Sequence, residues 1–254
     1  FVHRNGALYY WDASSGVTTR GVLVSSLGGA AQVPTVANIA FVSDVFRFAF
    51  CFGVNAVGSS ALDPMLLRWS DQEDISDWNP TATNQAGSLS LSEGTEIIQA
   101  VQARQEILVW TDSAMYGLQY LGAPVVWGAT LLGSNITIAS PNAAVYSNNI
   151  AYWMGTSKFY YYDGTVKTLP CSVRSYVFDD FNREQSQQVI CGSNEEFDEI
   201  WWFYCSSGVT RNDRYVVYNY VENIWYYGTL SRSAWMDSDL RDFPMAATFD
   251  GKLI

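Results

Sequence analysis

Apolar and aromatic residues along this chain fall in short alternating runs, each bounded by Gly, Asn, Asp or Ser. Period-two patterning between turn residues predicts strands and hairpins, and long helical periodicity is scarce. The runs also recur in a fixed order. A first strand type is TVANIAFVS (35–43), TEIIQAVQ (95–102), NAAVYSN (142–148), QQVICGS (187–193) and MAATFDG (245–251). A second follows each: RFAFCFG (47–53), EILVWT (106–111), IAYWMG (150–155), EIWWFYC (199–205) and the opening of another at KLI (252–254). A third is MLLRWSD (65–71), SAMYGLQYL (113–121), SKFYYYDG (157–164) and DRYVVYN (213–219). A short fourth is DWNP (77–80), APVVWG (123–128), TVKTLP (165–170) and NIWYYG (223–228).

The pattern predicts four complete four-stranded units. GALYYWD…GVTT (6–19) is placed as a third-plus-fourth pair of an earlier unit, and MAATFDGKLI (245–254) as a first-plus-second pair of a later one. Units of roughly 40–50 residues with four strands each are the signature of β-propeller blades. A single twisted sheet cannot bury both faces, and stacking blades around an axis buries them. The expected fold is therefore all-β: a β-propeller of four-stranded antiparallel blades, about five or more, with a few irregular loops between blades. The two terminal pairs either join into one shared blade or belong to a larger ring. A β-sandwich, or a pair of them, is the runner-up. Residues 1–254 are taken as one propeller domain of a longer chain, since the sequence opens at Phe1 and stops inside an expected strand.

The acid-rich stretch LLRWSDQEDISDWNP (66–80) finds its place in this scheme. MLLRWSD is a third strand, QEDIS its turn and DWNP the start of the outer strand. Asp71, Glu73, Asp74 and Asp77 then sit on a solvated hairpin. The EF-hand calcium pattern needs a central Gly and a final Glu, and both are absent here. Three longer connections are AVGSSALDP (56–64), PCSVRSYVFDDFNREQSQ (170–187) and LSRSAWMDSDLRDFP (230–244), with a short helix expected near Asp179–Gln187. Loops on rigid scaffolds carry binding, so these three are expected to touch neighbouring subunits or another component.

Composition narrows the function classes. Aromatics are abundant, with 10 Trp, 16 Tyr and 13 Phe, which suits strands and large buried or interface contacts. Lys and Arg number 14 against 25 Asp and Glu, a net charge of -11. Such a chain is a poor general binder of nucleic acid or anionic membrane, because phosphate binding rests on Lys and Arg. No apolar run reaches the ~20 residues of a membrane span. Cys51, Cys171, Cys191 and Cys205 form no C-x-x-C pair, and His3 is the only histidine. That excludes the usual zinc site and leaves buried free thiols, which point to a reducing origin.

Catalytic signatures are sparse. A Ser-His-Asp triad needs a histidine base, and neither a phosphate-binding loop nor a dinucleotide fingerprint is present. A two-carboxylate glycosidase needs only two acids at a set distance, with Asp112, Glu195, Glu196, Asp198 and Glu199 as candidates. SNEEFDE (193–199) suits a hairpin turn without any chemistry. VWTD (109–112) occurs once, whereas a propeller family built on that tetrapeptide repeats it in every blade. In EIWWFYC, Trp201, Phe203 and Cys205 share one face and Trp202 and Tyr204 the other. A central propeller strand buries both faces, so core packing is favoured over a carbohydrate-stacking surface. No enzyme activity and no cofactor is expected.

A set of phrases is similar to those of a known family. They are RWSDQEDISDWNPT (68–81), AGSLSL (86–91), EILVWTDSAMYGLQYLGAP (106–124), SPNAAV (140–145), YWMG (152–155), YYDGTVKTLPCSVRSYVF (161–178), EIWWFYC (199–205) and DRYVVYNYVENIWYYGTLSRSAW (213–235). In order, over roughly residues 60–254, they resemble tail nozzle or hub proteins of short-tailed bacteriophages, the packaged-DNA stabilisation type included. The resemblance implies a structural virion protein, a β-propeller assembled as a ring, commonly a homohexamer, below the portal and adaptor. It implies extension of the DNA conduit, retention of packaged DNA and release on host contact. Expected partners are further copies of the chain, a tail adaptor or portal-proximal protein, other tail proteins or fibres, and viral DNA passing without sequence-specific binding. The family has no shared active site to carry over. Acidic walls would let DNA slide, because they repel phosphates. A ring needs side-by-side contacts, for which Tyr160, Tyr162, Trp225, Tyr227, Arg174 and Phe178 are the candidate interface residues. A non-viral propeller adaptor and a propeller glycosidase are the alternatives.

Overall fold

The computed structural model describes residues 1–237 and 243–254. The chain divides into two compact units, Phe1–Ser134 and Asn135–Ile254. The fold is all-β and of the β-propeller class, built of four-stranded antiparallel blades.

The first unit opens with β1 (Tyr9–Tyr10) paired to β2 (Val22–Leu23). Phe1 and Val2 run alongside: Val2 bridges Leu8, and Tyr9 N–H donates to the Phe1 carbonyl at 2.8 Å. The outer member of this pair is thus residues 22–23, not GVTT (16–19), which forms a turn. β3 (Ala37–Val42), β4 (Ala49–Asn55), β5 (Leu62–Trp69) and β6 (Gly87–Ser90) then make one meander blade. β7 (Ile97–Gln102), β8 (Ile107–Thr111), β9 (Ala114–Gly122) and β10 (Val126–Ser134) make the next. The fourth strand of the first blade is β6, not DWNP (77–80), whose backbone instead forms a parallel bridge between Asp77 and Ala31.

Both central strands β4 and β8 are buried along their whole length. Alternation on β4 sends Phe50 and Phe52 to one face, opposite Trp69 and Leu67 of β5. They pack with Ile107, Val109 and Trp127, and the Phe50 and Trp127 rings meet edge-on at 5.0 Å. Each such side chain contributes about 1.5–3 kcal/mol on burial. Cys51, Ala49 and Val54 point the other way, onto Leu8, Val24 and Trp78.

The second unit repeats the plan. β11 (Ala144–Ser147), β12 (Ile150–Met154), β13 (Phe159–Tyr162) and β14 (Val166–Leu169) form one blade. Helix α1 (Arg174–Asp180) follows, buried through Val177 and Phe178. The α-helix therefore lies before the expected Asp179–Gln187. Phe181 is extended and breaks it, and residues 183–188 form a 3-10 turn capped by Asn182. β15 (Ile190–Asn194), β16 (Glu199–Tyr204), β17 (Arg214–Asn219) and β18 (Ile224–Thr229) form the next blade.

The last sheet departs from expectation. β19 (Ala234–Met236) lies beside β15 and pairs with β20 (Met245–Ala247). Leu253 bridges Ala247, and Ala246 and Ile254 exchange backbone hydrogen bonds at 2.8 and 2.9 Å. The first strand of this sheet is thus SAWM, inside the expected 230–244 connection. MAATFDG supplies the second strand and KLI the third. The rest of that connection, at 238–242, lies outside the described residues. Each terminal sheet is paired within itself.

Trp235 anchors β19. Its ring stacks on Trp201 at 5.3 Å and 18°, and its Nε1 donates to the Ser193 carbonyl at 2.7 Å. Gly192 makes room, since a Cβ there would lie 2.0 Å from Trp235 Cδ1. Gly192→Val is expected to expel Trp235 and to destabilise the second unit by about 1–3 kcal/mol. Thermal unfolding, with loss of amide protection in β19, would measure it.

Candidate interaction surface

The six candidate interface residues all lie in the second unit and divide sharply. Tyr160 is buried and stacks flat on Trp153 at 5.2 Å. Tyr162 is buried on β13, and Phe178 is buried against Phe159 at 5.2 Å. These three side chains are spent largely on packing within the unit. Trp225 is half-buried between Phe159 at 4.9 Å and Tyr218 at 4.8 Å, and its Nε1 donates to the Pro170 carbonyl. Arg174 and Tyr227 remain exposed.

Tyr227 has a partner that sequence reasoning missed. Strand alternation on β18 puts Trp225 and Tyr227 on one face, and α1 brings Tyr176 to it. The Tyr176 and Tyr227 rings lie 3.9 Å apart at 32°, each about two-fifths exposed. Arg174, at the start of the same helix, is held by Nε donation to the Ser157 carbonyl at 2.9 Å. The sequence expectation of a helix near Asp179–Gln187 leaves Tyr176 in the preceding loop, with nothing to mark it as the partner of Tyr227. Paired exposed tyrosines have the composition of interface cores.

The acids are mostly turn-builders. Asp71 Oδ1 accepts from the backbone N–H groups of Gln72 and Gln85, and Asp77 accepts from Asn79 N–H and Asn84 Nδ2. Asp74 Oδ1 accepts from Ser76 Oγ and N–H, which holds its carboxyl below the usual carboxylate range. Glu73 pairs with Arg47 at the surface. A cleft of about 330 Å³ lies here, lined by Ser43, Asp44, Arg47, Ser70, Glu73 and Asp74 among others.

The glycosidase candidates are likewise occupied. Glu199 Oε2 accepts from Trp201 Nε1 at 2.8 Å and from Asn194 Nδ2 at 3.2 Å. Glu195 accepts from Ser147 Oγ at 3.1 Å. Asp198 takes the left-handed φ of 58° that turns the β15–β16 hairpin, with Glu196 beside it. Asp112 accepts from Thr95 N–H and Thr95 Oγ1, both at 2.7 Å, clasping β7 to the β8–β9 turn. Burial pushes the Asp112 carboxyl up, but the Thr95 bonds outweigh it and its pKa is lowered. A general acid needs the opposite shift. A lowered folded pKa contributes stability that is present above the unfolded value and lost as pH falls through the folded one. Acidification below about pH 4 is therefore expected to loosen the β7–β10 blade, and Asp112→Asn should flatten that dependence, by urea unfolding against pH. Among the described residues, no group of three His, Cys, Asp or Glu is placed to hold a metal ion.

The thiols are quiet. Cys51 is buried and pushed up to about 12, and burial also raises Cys171 and Cys205 to about 11. No helix among the described residues is long and apolar enough to cross a membrane.

No family model and no curated protein matches the sequence. Similarity to solved structures is extensive and confined to fold. The computationally designed Ika8 protein aligns with a TM-score of 0.55 at 12% identity, over 98% of this chain and 64% of that one. An extracellular domain assigned to a one-component system of B. thetaiotaomicron aligns with a TM-score of 0.57 at 12% identity, over 98% of this chain. The chain spans 29% of that protein's length. The AfRom2 CNH domain aligns with a TM-score of 0.50 at 9% identity, over 98% of this chain and 77% of that one.

Proposed function

We propose that this chain is a structural protein of a bacteriophage tail, a nozzle or hub subunit that assembles as a ring and extends the DNA conduit. The observation that carries the reading is the placement of acid on rigid blades. Asp71, Asp74 and Asp77 in the β5–β6 loop are fixed by hydrogen bonds within that loop rather than free to swing. The net charge of -11 acts in the same sense. A fixed acidic surface repels phosphate and lets DNA pass without gripping it. In this reading the ring is a homohexamer of the virion, meeting a tail adaptor or portal-proximal protein and other tail proteins or fibres. Its role is to retain packaged DNA and to open for ejection, with no enzyme activity and no cofactor. The family phrases spread over residues 60–254 support the same reading.

Native mass spectrometry with negative-stain imaging tests it. The expected result is a closed ring of about six copies with a central channel, and no retention on DNA at low salt. A stable monomer that binds a cellular protein would favour the adaptor reading and overturn this one.

A further inference from the structure

Tyr176 and Tyr227 are both open to solvent, 40% and 46% exposed, with ring centroids only 3.9 Å apart. The other tyrosine–tyrosine contacts among the described residues differ on both counts. Tyr152 meets Tyr161, Tyr218 and Tyr220 at 6.5, 6.1 and 6.1 Å, and Tyr152 is 3% exposed. Tyr204 on β16 is fully buried, and its hydroxyl has no hydrogen-bond partner among the described residues.

The exposed pair is held from behind on both sides. Val177 and Phe178, the next residues of α1, are buried, and Phe178 packs on Phe159 at 5.2 Å. Arg174 Nε, donating to the Ser157 carbonyl, fixes the start of the helix. On the other side β18 is paired with β17, Tyr227 standing opposite Val216. Trp225 Nε1 donates to the Pro170 carbonyl and ties β18 to the run into α1. The backbone therefore brings the two rings together.

Two phenols in contact share one distinctive reaction. A one-electron oxidant takes an electron from each, and each hydroxyl proton passes to water. The two phenoxyl radicals join through a new C–C bond between carbons ortho to oxygen. Each of those carbons then gives up its hydrogen as a proton, and each oxygen regains one, restoring both phenols. With hydrogen peroxide as the final electron acceptor, two tyrosines and one peroxide give one dityrosine and two waters. Two directly joined phenol rings have their centroids at close to the separation seen here. Coupling then asks for rotation of the rings and not for travel of the backbone, and holding the partners together makes it intramolecular. Tyr204 stays out of the reaction, because a buried hydroxyl without an acceptor cannot shed its proton.

We propose that Tyr176 and Tyr227 are the site of an oxidative cross-link, a dityrosine bond that staples α1 to β18 when a peroxidase and hydrogen peroxide act on the chain. Joining positions 176 and 227 closes a loop of roughly fifty residues and constrains the unfolded chain, as a disulfide does. The inference is independent of the ring reading above.

Treatment of the dilute 254-residue chain with a haem peroxidase and hydrogen peroxide tests it. Expected are dityrosine fluorescence, a denatured mass of one chain less two hydrogens, and a cross-linked peptide pair mapping to Tyr176 and Tyr227. The urea midpoint of the cross-linked chain should rise. Tyr176→Phe and Tyr227→Phe each keep an aromatic ring at an exposed site, so wild-type circular dichroism is expected of both. Each should abolish the single-chain product, and either one suffices should the other misfold. The absence of dityrosine, or a product that forms only between chains, would overturn the proposal. So would a cross-link that maps to other tyrosines, persists in a folded variant, or leaves the urea midpoint where it was.

Discussion

Arg68→Met is expected to destabilise the first unit by on the order of 3 kcal/mol and to free the β5–β6 loop. Arg68 is 1% exposed on β5, opposite Cys51. Among the described residues no carboxylate pairs with it. The Cys51 thiol, pushed up to about 12 by burial, is neutral at pH 7. The guanidinium instead donates to three carbonyls: Nη1 to Asn55 at 3.2 Å, and Nη2 to Gln32 at 2.6 Å and Trp78 at 2.9 Å. It thereby ties the end of β4, the run into β3 and the acid-rich loop to one point. Burial lowers its pKa, as expected for a cation out of water. Methionine recovers that desolvation but leaves three carbonyls without their donor, at about 1–3 kcal/mol each where they stay buried. The carbonyls outweigh the recovered desolvation. Arg68→Lys should cost nearly as much, since a point ammonium cannot reproduce the fork. Urea unfolding would measure both, and an Arg68→Met chain as stable as wild type would show that the loop is held by Trp78 alone.

The acid-rich loop shows what the sequence could and could not disclose. Its Asp and Ser residues announced turns, and the structure places them in turns. Its DWNP end looked like an outer strand because Trp78 is large and apolar. Trp78 is fully buried, but as the plug of a loop, its Nε1 donating to the Ile75 carbonyl at 2.7 Å. The true outer strand, β6, is GSLS, with only one apolar side chain larger than Gly or Ser. Gly87 sits there because the Trp69 ring covers it, a Cβ falling 2.4 Å from Trp69 Cζ2. Strand formation at that edge is dictated by the neighbour, not by local propensity. β19 failed for a related reason. Three residues in a polar stretch carry little periodicity, and only the repeat spacing from Ile190 to Trp235 marked it.

Central strands were legible because both faces are apolar, as in ILVWT and IWWFY. The interface residues were less so. Pattern alone cannot separate a tyrosine that packs inside, such as Tyr160, from one that faces out, such as Tyr227. Both lie in alternating aromatic strands, and only the third dimension tells which face meets another sheet.

Trp202→Ala is expected to be the most damaging single change, lowering stability of the second unit by about 3–5 kcal/mol. Trp202 is fully buried at the middle of β16. Its ring meets Phe159 at 4.9 Å and stacks on Trp225 at 6.0 Å and 20°. Its Nε1 donates to the Ala143 carbonyl at 3.1 Å, a bond from one blade to the run-in of its neighbour. Alanine therefore opens a cavity, removes the ring that Phe159 and Trp225 pack on, and leaves the Ala143 carbonyl with only the Met154 N–H as donor. Trp202→Phe retains most of the apolar volume and loses the donor, so it should cost about 1–2 kcal/mol. The ratio of the two losses separates packing from the hydrogen bond. If packing dominates, the phenylalanine variant recovers most of the urea midpoint. If the two variants fall together, the Ala143 bond is what holds the blades in register. Because Trp225 leans on Trp202 and Tyr227 follows it on the same face of β18, Trp202→Ala should also disturb the exposed Tyr176–Tyr227 pair. Faster amide exchange in α1 would report that disturbance.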